Sequence, residues 1–108
     1  MSLKRGDIYW VNLSPTVGSE IRKKRPCVLI GATPINDVRK TVLVLPLSSV
    51  GIPRPPLAIE VECLGRKVVA VCDQLRAVGK TRLEQKAGTL NTADLKKIED
   101  GIRQVLSL

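Results

Sequence analysis

The chain has 108 residues, 44% of them hydrophobic and 26% charged, which excludes a disordered polymer and suits one domain with its own core. Eighteen Lys and Arg against ten Asp and Glu leave a net charge of +8, so the partners to expect are polyanions. The absence of histidine excludes histidine acid–base chemistry and mixed Cys/His zinc sites.

Aromatics amount to Tyr9 and Trp10, so the core must be built from Val, Leu and Ile. Residues 7–13, DIYWVNL, carry β-branched and aromatic types and predict a first strand. SPTVGSEIRKKR follows, with Pro15, Gly18 and dense charge, and predicts a long loop. PCVLIGA, 26–32, predicts a second strand, and TPINDVRK has turn chemistry at Pro34, Asn36 and Asp37. TVLVLPL, 41–47, predicts a third strand, apolar enough for burial on both faces. SSVGIPRPP is a loop stiffened by prolines.

LAIEVEC, 57–63, alternates apolar and polar residues, as a strand with one wet face does. LGRK makes a tight turn, and KVVAVCD, 67–73, returns as the hairpin partner. Residues 74–90 read as irregular, broken by Gly79 and Gly88. A helix closes the chain. Asn91 and Asp94 resemble a capping box, and Leu90 and Leu95 are spaced to form a hydrophobic staple. Leu95, Ile98, Ile102, Val105 and Leu106 form one apolar stripe; Gly101 falls opposite and costs about 1 kcal/mol relative to Ala. The expected architecture is α+β, mainly β: a single domain over 1–108, a strongly bent sheet or partly open barrel with a C-terminal amphipathic helix.

No apolar run is long enough to span a bilayer, and the opening MSLKRGD lacks an apolar signal core, so a cytoplasmic protein without membrane association is expected. Cys27, Cys63 and Cys72 are odd in number, widely spaced and set in apolar runs, which predicts buried inert thiols, no metal and no cofactor.

The chemistry open to such a chain is that of carboxylates, arginines and hydroxyls at strand–loop junctions. RNA suits it, because each phosphate has a 2′-hydroxyl beside it as an internal nucleophile. Cleavage then needs a base, a cation for the charged transition state and a proton for the leaving 5′-oxygen. Glu20 is a candidate base. Arg25 is a candidate phosphate clamp, held extended by Pro26. Arg22, Lys23 and Lys24 can meet phosphates, and Ser48 and Ser49 can hydrogen-bond a phosphate oxygen. Each feature also has an ordinary structural reading: a solvated basic loop, a carboxylate relieving repulsion, a loop exit at Arg-Pro and two turn serines.

The stretches RGDIYWVNLSPTVGSEIRKKRPCVLI, TVLVLPLSS and CDQLRAVGKTRL, in that order before a terminal helix, resemble the MazF/PemK-like toxins of bacterial type II toxin–antitoxin modules over nearly the whole chain. The resemblance implies an SH3-like barrel of the CcdB/MazF kind and a homodimer. It also implies a metal-independent, sequence-specific endoribonuclease of single-stranded RNA that leaves 2′,3′-cyclic phosphate and 5′-hydroxyl ends. A cognate antitoxin is implied too, with an acidic disordered tail that covers the basic groove. By the same resemblance Arg25 is the catalytic arginine, Glu20 the loop carboxylate and Ser48 the hydroxyl where the family usually has Thr. Asp73, Gln74 and Arg76 then belong to the RNA-binding groove. Ser19 and Val71 stand where some members have a His and an Arg, so those two roles do not transfer. Three alternatives remain: a CcdB-like gyrase inhibitor that cuts nothing, a non-catalytic RNA-binding barrel, and a toxin weakened by Ser at 48. The absence of an aromatic in RQVLSL argues against the first, and the scarcity of aromatics against the second.

Overall fold

The computed structural model describes residues 2–13 and 24–108. The first apolar run forms β1, Asp7–Asn12, and the second forms β2, Lys24–Leu29. They pair antiparallel, with Tyr9 opposite Cys27 and Val11 opposite Arg25. The second strand therefore begins before Pro26, not at it, and Arg25 lies within it. The loop expected at 14–25 lies mostly outside the described residues, and with it Glu20, Arg22 and Lys23.

The TPINDVRK segment is α1, Thr33–Val38, rather than a turn. Pro34 suits the first turn of a helix, where its missing N–H costs nothing. The buried Asn36 side chain donates to the carbonyls of Gly31, at 2.9 Å, and Leu3, at 3.0 Å. β3, Thr41–Ser48, pairs β2 along one edge, with Cys27 opposite Pro46, Val28 opposite Leu45 and Leu29 opposite Val44. β4, Ala58–Cys63, and β5, Arg66–Val71, form the expected hairpin. Its turn residues Leu64 and Gly65 both have positive φ, 54° and 74°, matching the twist of the strands they join.

Residues 74–90, expected to be irregular, contain two strands. β6, Arg76–Gly79, pairs with the first half of β3, Val44 opposite Arg76 and Val42 opposite Val78. β7, Leu83–Thr89, pairs with β1 through two register irregularities. The strand order is β4-β5-β3-β2-β1-β7, with β6 also on β3. The result is a mainly β fold in which β3 serves two sheets: it pairs β6 at its start and β5 at its end, where Ser48 faces Val69.

Successive side chains point to opposite faces of a strand, so the sheet carries two cores. One holds Ile8, Val28, Leu45, Leu47, Ile59, Cys72 and Ile98, and the other Tyr9, Val11, Cys27, Leu29, Val42, Val44 and Val78. Helix α2, Thr92–Leu106, covers the first core with Leu95, Ile98, Ile102 and Val105, while Leu106 is half exposed and adds little. Asn91 caps it as expected, its side-chain oxygen accepting from Asp94 N–H at 2.7 Å. The Asp94 carboxylate does not close the capping box. It accepts instead from the Glu62 N–H at 2.9 Å and from the Asn91 side-chain amide at 3.1 Å, tying α2 to β4.

Gly101 corrects the expected helix wheel. It is buried, and a Cβ there would come within 3.1 Å of the Pro56 carbonyl and of Cys72 Sγ, and within 3.2 Å of Ile59. Its missing side chain lets the helix approach closely, so it belongs to the packed face. All three cysteines are free and buried.

Candidate active site

Two prolines open the site. Pro26 and Pro46 offer no N–H, and the β2–β3 ladder ends at the Cys27–Pro46 pair. Beyond it β3 turns to β5, and the next residues on the same face, Arg25 and Ser48, stand on either side of the parting strands. Their common face follows from the register: Arg25 is two residues from Cys27, Ser48 two from Pro46, and Cys27 opposes Pro46. Arg76, opposite Val44, shares this face too.

Burial separates the parts. Cys27 is fully buried beneath the face, Arg25 and Ser48 are half-buried, and Arg76 is exposed. The Arg25 Nε is buried with no hydrogen-bond partner. An orphaned N–H of this kind carries a desolvation cost that an incoming acceptor would relieve. The Ser48 hydroxyl accepts from the Val50 N–H at 3.3 Å, which holds its oxygen and leaves its proton to donate. The loop after Ser48 can fold back only because residue 51 is glycine: a Cβ there would lie 2.3 Å from Val69 Cγ2.

Burial also governs the thiol under the arginines. It pushes Cys27 up to about 12, against the pull of the Arg76 and Arg25 guanidiniums, so the thiol is neutral at ordinary pH. Burial likewise raises Cys72 to about 11, with Asp73 adding to the shift, and raises Cys63. The expectation of inert thiols agrees with this.

The remaining sequence-predicted residues divide. Asp73 and Gln74 are exposed on the 3-10 turn Cys72–Gln74 that leads from β5 into β6. Ser49 is exposed directly after β3. Lys24 is not brought to the Arg25 face: it alternates away and its ammonium pairs with Glu84 on β7 at 3.0 Å. Glu20, Arg22 and Lys23 fall outside the described residues. Among the described residues no group of three or more His, Cys, Asp or Glu is placed to hold a metal ion. The buried, unpartnered Arg25 Nε is a feature that sequence reasoning missed, since only the folded ladder reveals it.

A family described as the PemK-like, MazF-like toxins of type II toxin–antitoxin systems matches residues 4–106. The chain belongs to this family. An endoribonuclease MazF of Staphylococcus saprophyticus is 31% identical over 111 residues, spanning 98% of this chain and 92% of the relative. The fold is also that of a crystal structure of MazF from Deinococcus radiodurans, with a TM-score of 0.87 at 19% identity over 100% of this chain and 99% of the other. An endoribonuclease from a mycobacterial species, solved in complex with its cognate antitoxin, gives 0.82 at 18% identity over 98% and 96%. In this PemK/MazF-like toxin Arg25 lies at the start of β2 and Ser48 at the end of β3, both on the face where the sheets part. Among the described residues no helix is long and apolar enough to cross a membrane.

Proposed function

We propose that this toxin is a sequence-specific endoribonuclease that cuts single-stranded RNA through the substrate's own 2′-hydroxyl, without a metal ion. The observation that carries the reading is Arg25: a guanidinium on the same sheet face as the strand-end hydroxyl of Ser48, with a buried Nε–H lacking an acceptor among the described residues. A phosphate oxygen is the acceptor that suits a charged, planar donor. Membership of the toxin family, the name of the 31%-identical relative and the net charge of +8 support the same reading.

In the reaction the 2′-oxygen attacks phosphorus, forming a P–O2′ bond while the P–O5′ bond breaks. The 2′ proton passes to a base, and the departing 5′-oxygen takes up a proton. The products are a 2′,3′-cyclic phosphate and a 5′-hydroxyl. Arg25 stabilises the negative charge gathering on the non-bridging oxygens. Ser48 donates a hydrogen bond to one of them. Glu20 is assigned as the base on its place in the family's pattern. Ser49, Asp73, Gln74 and Arg76 line the path of the flanking nucleotides, joined by Arg22 and Lys23. Lys24 contributes less, its charge being engaged by Glu84. The antitoxin is read as an acidic chain that covers this basic face, the active form as a homodimer, and the site of action as the cytoplasm.

The test compares the parent protein with Arg25→Ala on single-stranded RNA in excess EDTA. The variant should lose about 100-fold or more in cleavage rate, the scale of removing one transition-state donor. Equal rates in the two proteins would refute the assignment.

A further inference from the structure

We infer that Arg76 grips the scissile phosphate together with Arg25, so that the reacting centre is a clamp of two guanidiniums. This rests on the RNA-cleavage reading above and sharpens it, moving Arg76 from the groove to the reacting atoms.

The geometry comes from the ladder. β2 and β6 lie on opposite edges of β3, about 10 Å apart across it. Arg76 opposes Val44, and Val44 opposes Leu29, so Arg76 starts four residues along the sheet from Arg25. Both side chains leave the same face, and Cys27 lies on that face between them. The register sets Cys27 between the two arginines, and the charge of each favours the thiolate against the burial that opposes it. Because burial keeps that thiol protonated, it forms a neutral floor and cancels neither cation.

Among the described residues neither arginine has a carboxylate partner. The ion pairs among the described residues engage Arg5, Lys24, Lys86, Lys97 and Arg103, and neither Arg25 nor Arg76 is among them. With no carboxylate pairing with either guanidinium among the described residues, the two like charges on one face repel each other. An anion placed between them removes that repulsion. A phosphodiester in transesterification offers two non-bridging oxygens whose charge rises at the transition state. One guanidinium can serve each oxygen, and the Ser48 hydroxyl supports one of them. The Arg25 Nε–H gains its missing acceptor in the same step.

The experiment uses an RNA oligonucleotide spanning a cut site mapped with the parent protein. Single-turnover cleavage is measured for the parent, Arg76→Gln and Arg76→Lys. Binding is measured to the same oligonucleotide made uncleavable by a 2′-deoxy residue, with either the natural phosphate or a neutral methylphosphonate at the scissile position. The clamp predicts that Arg76→Gln slows cleavage about 100-fold, with Arg76→Lys in between. It also predicts that the binding lost in Arg76→Gln disappears when the scissile phosphate is neutral. A normal single-turnover rate in Arg76→Gln, or a binding loss that persists on the methylphosphonate, would overturn the clamp and leave Arg76 as a groove contact. A parent protein that cuts no RNA would instead bring down the cleavage reading itself, and the clamp with it. Arg76 is exposed, and a thermal melt matching the parent confirms that each variant is folded.

Discussion

At the scale of single residues, the site depends on what is left unpaired and what is kept neutral. Arg25 keeps a buried Nε–H without an acceptor, and Cys27 beneath it stays a thiol because burial outweighs two nearby cations. The thiol also predicts a pH dependence. An unfolded Cys27 ionises from 9.0, while the folded one holds its proton to about 12. Between these values the native state binds more protons than the unfolded state, so stability present below pH 9.0 falls as pH rises through that window. Urea unfolding followed from pH 8 to 10.5 should show this fall, and Cys27→Ala should show a shallower one. Equal slopes in the two proteins would contradict the account. Arg25 and Ser48 could be picked from the sequence because their motif is local: an arginine before a proline, a serine closing an apolar strand. The facing of Lys24 could not. It depends on β2 starting before Pro26, which is decided by pairing with β1 and not by the proline's own preference.

At the scale of elements, some local signals are decisive and non-local ones are invisible in the sequence, while the turn chemistry of TPINDVRK is overridden by helix α1. The β4–β5 hairpin announces itself by alternation and by a Leu-Gly turn, and the start of α2 by Asn91. Both are settled within a few residues of chain. β7, LEQKAGT, has no alternating pattern and contains Gly88; it is a strand because β1 offers it a ladder. β6 has four residues and exists through the first half of β3. Gly101 shows the same lesson on a helix, since a wheel placed it on the wet side whereas close approach to Pro56 and Cys72 puts it inside. Helix propensity alone favours Gly101→Ala by about 1 kcal/mol. The added Cβ must displace a backbone carbonyl, so the variant should instead lose about 1–3 kcal/mol in urea unfolding, the usual range for overpacking. A more stable variant would mean that α2 has room to shift.

At the scale of the whole molecule, one strand sets where the sheets part. β3 pairs β6 at its start, β2 at its middle and β5 at its end, and the β2–β3 ladder stops at its prolines, where Arg25 and Ser48 stand. α2 braces the opposite face, and the Arg5–Glu99 ion pair ties it to the N-terminal segment, away from Arg25. A bent, mainly β sheet with a terminal helix was readable from the pattern of apolar runs. The meeting of Arg25, Ser48 and Arg76 on one face was not, because it needs the register of three strands at once. The most direct measurement incubates the purified protein with a long single-stranded RNA in excess EDTA and determines the chemistry of the product ends. Attack by the 2′-hydroxyl without a metal predicts discrete cuts at a recurring sequence, with 5′-hydroxyl and 2′,3′-cyclic phosphate ends. Intact RNA, or cuts that carry 5′-phosphates, would contradict it.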